Sequence, residues 1–167
     1  VISSGTEGEA NELDSDYWKK PTGVVYHKFD ISKYINSGYA IKKAYLLQNG
    51  SVGSGVLYET KTNTLENKDN YLTAPEINPD GFISYFSMGN GSSNYLSSED
   101  RANKFPGARN TDNFSVDITD YVNKKAALGE ESFTIAEYAR YTADIYSVGN
   151  FAQLYVELTD APVVNVD

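Results

Sequence analysis

Residues 150–159 read NFAQLYVELT. Side chains of an extended chain alternate between faces. Ala152, Leu154, Val156 and Leu158 therefore share one face, and Phe151, Gln153, Tyr155 and Glu157 share the other. That is the pattern of a strand with one side on a core. The same period recurs upstream. Residues 132–138 (SFTIAEY) read as a strand, and residues 113–118 (NFSVDI) align Phe114, Val116 and Ile118. Residues 82–88 (FISYFSM) place Phe82, Phe86 and Met88 on one face, with Ile83 and Tyr85 on the other. Residues 55–60 (GVLYET) form another short strand, and 39–48 (YAIKKAYLLQ) oppose Ala44 and Leu46 to Tyr45 and Leu47. Asn49-Gly50 follows, a pair expected to turn through positive φ. Residues 22–31 (TGVVYHKFDI) align Val25, His27, Phe29 and Ile31. Seven or more short strands in 167 residues predict an all-β fold. The expected architecture is a two-sheet antiparallel β-sandwich, jelly-roll-like, each sheet with a core face and a wet face.

Helical signals are scarce. Thr119-Asp120 is expected to cap one short helix running to Leu128, with Gly129 ending it. Residues 61–81 and 89–112, polar and rich in Asn, Asp and Gly, read as long loops. Residues 1–160 read as a single module and 161–167 as a linker or tail. One internal echo relates Phe29-Asp30-Ile31-Ser32 to Val116-Asp117-Ile118-Thr119, two strand-to-turn corners where the hydroxyl is expected to cap a helical turn.

Composition removes much chemistry. Cysteine is absent and His27 is the only histidine, which excludes thiolate nucleophiles, disulfides and Cys/His zinc or iron–sulfur sites. His27 itself lies beside Phe29 on a strand with no nucleophile motif nearby, and reads as a core-edge residue rather than a general base. The net charge of −9 argues against nucleic acid, whose binding rests on cations neutralising phosphates. It argues equally against an anionic membrane surface. No apolar run approaches the length of a spanning helix, so no membrane insertion is expected. With no charged-then-apolar leader, the chain is expected to be either cytosolic or a mature fragment. The 14 tyrosines and the wealth of Asn, Ser and Gly suit an exposed surface facing sugar or a bacterial wall.

Sugar binding needs flat aromatic faces to pack on ring C–H groups and polar groups to read hydroxyls; acidic sugars add a need for Arg or Lys. Tyr58, Tyr71, Tyr85, Tyr95 and Tyr155 are aromatic candidates on wet faces or in loops. Tyr17-Trp18-Lys19-Lys20 pairs the single indole with two cations. Tyr138-Ala139-Arg140-Tyr141, followed by Tyr146, sets a cation between rings near the last strand. Arg101, Lys104 and Arg109 group three cations that would either hold a uronate or sulfate or pair with Glu99, Asp100 and Asp112. The candidate ligand-binding residues are thus Tyr17, Trp18, Tyr85, Arg101, Arg109, Tyr138, Arg140, Tyr141 and Tyr146, with no catalytic residue. The oxygen-rich stretches GTEGEANELDSD and ENKDN could supply a structural Ca²⁺, though neither matches a calcium-loop motif and no metal ligand is assigned.

VVYHKFDIS, IKKAYLLQ, FSVDITDYVNK, SFTIAEY and FAQLYVELTD, in that order, resemble the DNRLRE-type domains, relatives of the family 96 carbohydrate-binding modules. Matching positions are Phe29, Asp30, Ser32, Ile41, Ala44, Leu46, Val116, Asp117, Thr119, Val122 and the strand at 154–158. Asn150-Phe151-Ala152 stands where the family carries a proline. The resemblance implies a jelly-roll-like sandwich in a secreted, multidomain bacterial protein, often one that degrades polysaccharide. The expected function is a non-catalytic carbohydrate-binding module that targets a secreted or cell-surface protein to a polysaccharide or glycan. The rivals are a structural or adhesive stalk domain with no small ligand, and a small hydrolase or lyase.

Overall fold

The computed structural model describes residues 2–3, 6–9, 23–50, 53–63, 66–68, 71–73, 75–139 and 152–162, and the side chains within 26–50, 53–63, 75–138 and 152–160. In chain order the elements are β1 (Ile2–Ser3), β2 (Thr6–Glu9), β3 (Gly23–Asp30), α1 (Ser32–Ile35), β4 (Tyr39–Gln48) and β5 (Gly53–Thr60). They continue with β6 (Glu66–Lys68), β7 (Tyr71–Thr73), β8 (Ile77–Met88), α2 (Ser98–Lys104), β9 (Phe114–Asp117), α3 (Thr119–Ala127), β10 (Ser132–Ala139) and β11 (Gln153–Pro162). The main pairings make two antiparallel sheets, a four-stranded one ordered β1-β11-β4-β9 and a five-stranded one ordered β2-β3-β10-β5-β8; β6 and β7 form a separate hairpin. The chain is therefore the two-sheet antiparallel sandwich that the alternation predicts. Among the described residues it carries three short helices where the sequence suggested one. The β6–β7 hairpin, the start of β8 and α2 occupy stretches read as loops. β11 runs through Pro162, two residues past the expected tail boundary.

Alternation fills the space between the layers. Phe29, Leu57, Phe86, Phe133 and Ile135 from the five-stranded sheet meet Ala44, Leu46, Phe114, Val116 and Leu154 from the other. Across the interface Phe86 stacks on Phe114 with centroids 5.6 Å apart and planes 11° apart. Within the larger sheet, Phe29 contacts Phe133 at 5.9 Å. Helix α3 buries Tyr121 and Val122 in the same cluster, Tyr121 standing edge-on to Phe133 at 5.3 Å.

The two echoing corners are alike, but the aspartate does the capping rather than the hydroxyl. Asp30 Oδ1 accepts the Ser32 amide at 2.9 Å and Asp117 Oδ1 accepts the Thr119 amide at 3.0 Å. This is the turn that a short acceptor makes with the backbone two residues on. The Ser32 hydroxyl, and after it the Ser32 amide, holds the Asp30 carboxyl below its ordinary value. Thr119 Oγ1 is instead turned to β4, where it accepts from the Ala44 amide at 3.0 Å. Gly129 ends α3 as expected, with φ of 71°. Gly50 does not adopt positive φ. Its amide donates to Asn113 Oδ1 at 2.8 Å and its carbonyl accepts from Asn113 Nδ2 at 2.7 Å. A Cβ there would strike the Met88 side chain.

An ion network closes the α3 end. Lys125 Nζ lies 3.0 Å from Glu130 Oε2 and 3.3 Å from Glu59 Oε1, and sits 5.7 Å over the Tyr121 ring. Burial pushes the Lys125 amine down, but its bonds to Glu130 and Glu59 outweigh that and leave it raised. Burial, with the nearby charges of Glu59 and Glu130, raises the Tyr121 phenol strongly. Both shifts act in one direction. Above the ordinary tyrosine value of 10.0 the unfolded chain gives up the Tyr121 proton while the folded chain keeps it, so stability falls as pH rises. The Lys125 contribution is full below the ordinary lysine value of 10.5 and is lost as pH climbs through its higher folded value. Denaturant unfolding between about pH 8 and pH 11.5 should show a falling alkaline limb, and Tyr121→Phe should flatten it. Equal slopes in the two proteins would show that this phenol does not govern the limb.

Candidate functional site

The two outer sheet faces differ. On the four-stranded sheet, Leu47 points outward yet is fully buried, packed with Leu96 and Phe105. The segment carrying α2 lies over this face. Ser97 caps the helix by accepting the Asp100 amide at 3.1 Å, and Phe105 enters between Tyr45 and Tyr155, with both centroids 5.0 Å away. Burial raises both phenols; Asp117 adds to the effect at Tyr45 and Glu157 at Tyr155. The expected wet face of this sheet is thus partly roofed.

The outer face of the five-stranded sheet presents an aromatic row. Its rings step from β10 through β5 to β8. Tyr138 meets Tyr58 edge-on at 6.0 Å, Tyr58 meets Phe82 edge-on at 6.2 Å, and Phe82 leans on Tyr85 at 4.7 Å with planes 51° apart. Tyr26 and Ala136 form the buried floor beneath Tyr58, Ile77 and Tyr138. At the β8 end the rings open to water: Phe82 is 48% exposed and Tyr85 is 74% exposed.

Strict alternation assigns Phe82 to the core beside Phe86. The structure reverses this. Leu57 pairs with Ser84 while Tyr58 pairs with Phe82, so Ile83 is an extra residue in β8. A bulge of this kind re-aims the flanking side chains. Ile83 turns to the core, and Phe82 joins Tyr85 outside. The sequence does hold a signal for it, since Gly81 inside a strand marks a bulge or a close approach; a Cβ on Gly81 would press on Glu59.

Polar groups rim the open end. Ser54, Gly55, Val56, Tyr85, Phe86, Ser87, Ser93 and Asn94 line a shallow groove of about 460 Å³. Asn94 fixes its far wall. Asn94 Oδ1 accepts the Ser87 amide at 2.8 Å, and Asn94 Nδ2 donates to the Ser115 carbonyl at 3.0 Å. The Ser87 and Ser93 hydroxyls, 3.1 Å apart, remain at the surface.

Of the residues predicted from sequence, Tyr58, Tyr85 and Tyr138 stand in this row. Arg101 and Arg109 do not. Arg101 Nη1 donates to the Asp112 carbonyl at 2.7 Å, and Arg109 Nη2 donates to Asp112 Oδ1 at 2.9 Å. Asp112 is fully buried, and Lys104 lies 3.7 Å from Asp100. Tyr17, Trp18, Arg140, Tyr141 and Tyr146 lie outside the described residues. Among the described residues no three His, Asp or Glu side chains converge on a common point, and no helix is long and apolar enough to cross a membrane.

His27 is not at the core edge but fully inside it. Its Nε2 lies 3.5 Å from Glu137 Oε1 and 3.4 Å from Gln48 Nε2, and all three residues are fully buried. Protonated, that nitrogen donates to the carboxylate; unprotonated, it accepts from the amide. No family model matches this chain, and no curated protein matches it.

Proposed function

We propose that this chain is a non-catalytic carbohydrate-binding module that attaches a larger secreted or cell-surface protein to a polysaccharide. The observation that carries the reading is the aromatic row on the five-stranded sheet, ending in Phe82 and Tyr85 with their rings in water. Leaving a contiguous apolar patch in solvent is unfavourable, and such patches mark surfaces that bind. Aromatic planes beside surface hydroxyls and an amide suit a sugar, whose C–H faces are apolar and whose edges are polar. The resemblance of the strand and corner residues to DNRLRE-type domains points the same way. The shallow groove supports modest affinity, because each contact remains partly in solvent.

The test is affinity electrophoresis over a polysaccharide panel with wild type, Phe82→Ala and Tyr85→Ala. Each alanine should weaken retardation about tenfold, the loss of roughly 1–1.5 kcal/mol of ring packing. Thermal unfolding of Tyr85→Ala should match wild type, since the ring is mostly in water. Failure of every glycan to retard the wild type would overturn the reading in favour of a stalk domain.

A further inference from the structure

We infer that His27, Glu137 and Gln48 form a binding site for one divalent transition-metal ion of the Zn²⁺ kind, clamped between the two sheets. The three side chains come from separate strands. His27 lies on β3 and Glu137 on β10 of the five-stranded sheet, and Gln48 lies on β4 of the other. All three are fully buried. His27 Nε2 stands 3.5 Å from Glu137 Oε1 and 3.4 Å from the Gln48 amide nitrogen. Both separations exceed the roughly 2.7–3.2 Å of a good hydrogen bond. They match the spacing of neighbouring donor atoms around one ion: with zinc bonds of about 2.0–2.2 Å, a tetrahedral set places its donors roughly 3.3–3.6 Å apart. Turning the Gln48 amide over exchanges its oxygen and nitrogen and brings Oε1 to the position facing His27.

The cluster is rich in acceptors. Among the described residues, Gln48 Oε1 and Glu137 Oε2 are buried without a hydrogen-bond partner. β2 adds to the excess. It pairs with β3 so that Glu7 is directly opposite His27, and opposed residues of an antiparallel pair belong to one sheet face. The residue that the register brings beside His27 is thus an acid, another acceptor. A divalent cation offsets two carboxylate charges and binds several oxygens at once, whereas an imidazole ring offers at most two protons. Imidazole nitrogen together with carboxylate and amide oxygen suits Zn²⁺ and its neighbours, while Ca²⁺ and Mg²⁺ favour oxygen alone.

An ion held here ties β3 and β10 to β4 across the layers. A site assembled from three strands does not exist in the unfolded chain, so its binding energy is folding energy. The inference is independent of the carbohydrate-binding reading, because these side chains lie between the sheets and the aromatic row lies on an outer face.

The experiment uses the untagged chain, in which His27 is the only imidazole. The protein is refolded in a chelator and then dialysed against Zn²⁺ or Ca²⁺. The expected result is one Zn²⁺ retained per chain and a Tm raised by about 5–10 °C at a hundredfold excess over Kd. In isotope-labelled wild type the His27 Nε2 resonance should move as Zn²⁺ is added, a reading that needs no variant. Glu137→Gln keeps the shape of the side chain and removes its charge, and should bind Zn²⁺ at least ~10-fold more weakly. Exposed Glu76→Gln should bind as wild type does. No retained Zn²⁺, an Nε2 resonance that stays in place, or equal affinity in Glu137→Gln would each overturn the inference. Ca²⁺ raising Tm as far as Zn²⁺ would overturn it as well, since an oxygen-only site elsewhere in the chain would then account for the effect.

Discussion

Gly55→Val yields no soluble folded protein, and Gly55→Ala loses more than about 3 kcal/mol of stability; these are the expected results for a glycine whose Cβ position is already taken by backbone. Gly55 lies in β5, between β10 and β8, paired with Ala139 on one side and Phe86 on the other. A Cβ here would overlap the Tyr138 carbonyl oxygen and the Phe86 ring. The carbonyl is backbone and cannot swing away. Phe86 is fixed by its stack on Phe114. The methyl of alanine must therefore push β5 from β10 and strain the core together. A folded domain has only about 5–15 kcal/mol in hand, so the larger valine exceeds what the sheet can absorb. Urea unfolding followed by circular dichroism measures the alanine variant, with the neighbouring Ser54→Ala as a surface control. An alanine variant within about 0.5 kcal/mol of wild type would refute the steric argument.

Glu137→Ala should lower stability by about 3–5 kcal/mol, because it strips a buried polar cluster of its acid. Glu137 lies on the inner face of the five-stranded sheet with His27, and Gln48 faces them from the other sheet. Gln48 Oε1 and Glu137 Oε2 have no hydrogen-bond partner among the described residues. Such a cluster contributes little net stability while intact and costs much when broken, since the group left behind is desolvated without its partner. The contrast is the sharper measurement. His27→Leu combined with Glu137→Leu replaces both partners by apolar groups and should recover most of the loss. Denaturant midpoints of the single and double variants give the coupling directly. A double variant as unstable as the sum of its singles would show that the two side chains act independently.

Most of the strands were legible because period-two burial is written locally. Phe114, Val116 and Ile118 had only to alternate, and the same holds for Ala44 and Leu46. Helix α2 also left a trace: Ser97 followed by Glu99 and Asp100 is an N-terminal signature inside a stretch that otherwise reads as loop. Phe82 was not legible from alternation, because one inserted residue inverts the face of everything beyond it. Of the candidate site, Tyr58, Tyr85 and Tyr138 could be picked out as rings, but nothing local joins them to one another. The row exists because three strands far apart in sequence lie side by side.

The sequence by itself determined that there would be two layers with a shared apolar interior, since that outcome follows from which neighbours along one chain are apolar. Only the tertiary structure decided which outer face stays open. That choice depends on the segment around Phe105 settling over β4 and β11, and on the bulge at Ile83 turning Phe82 outward beside Tyr85. Both depend on pairings between distant segments, and a local pattern of burial carries no information about them.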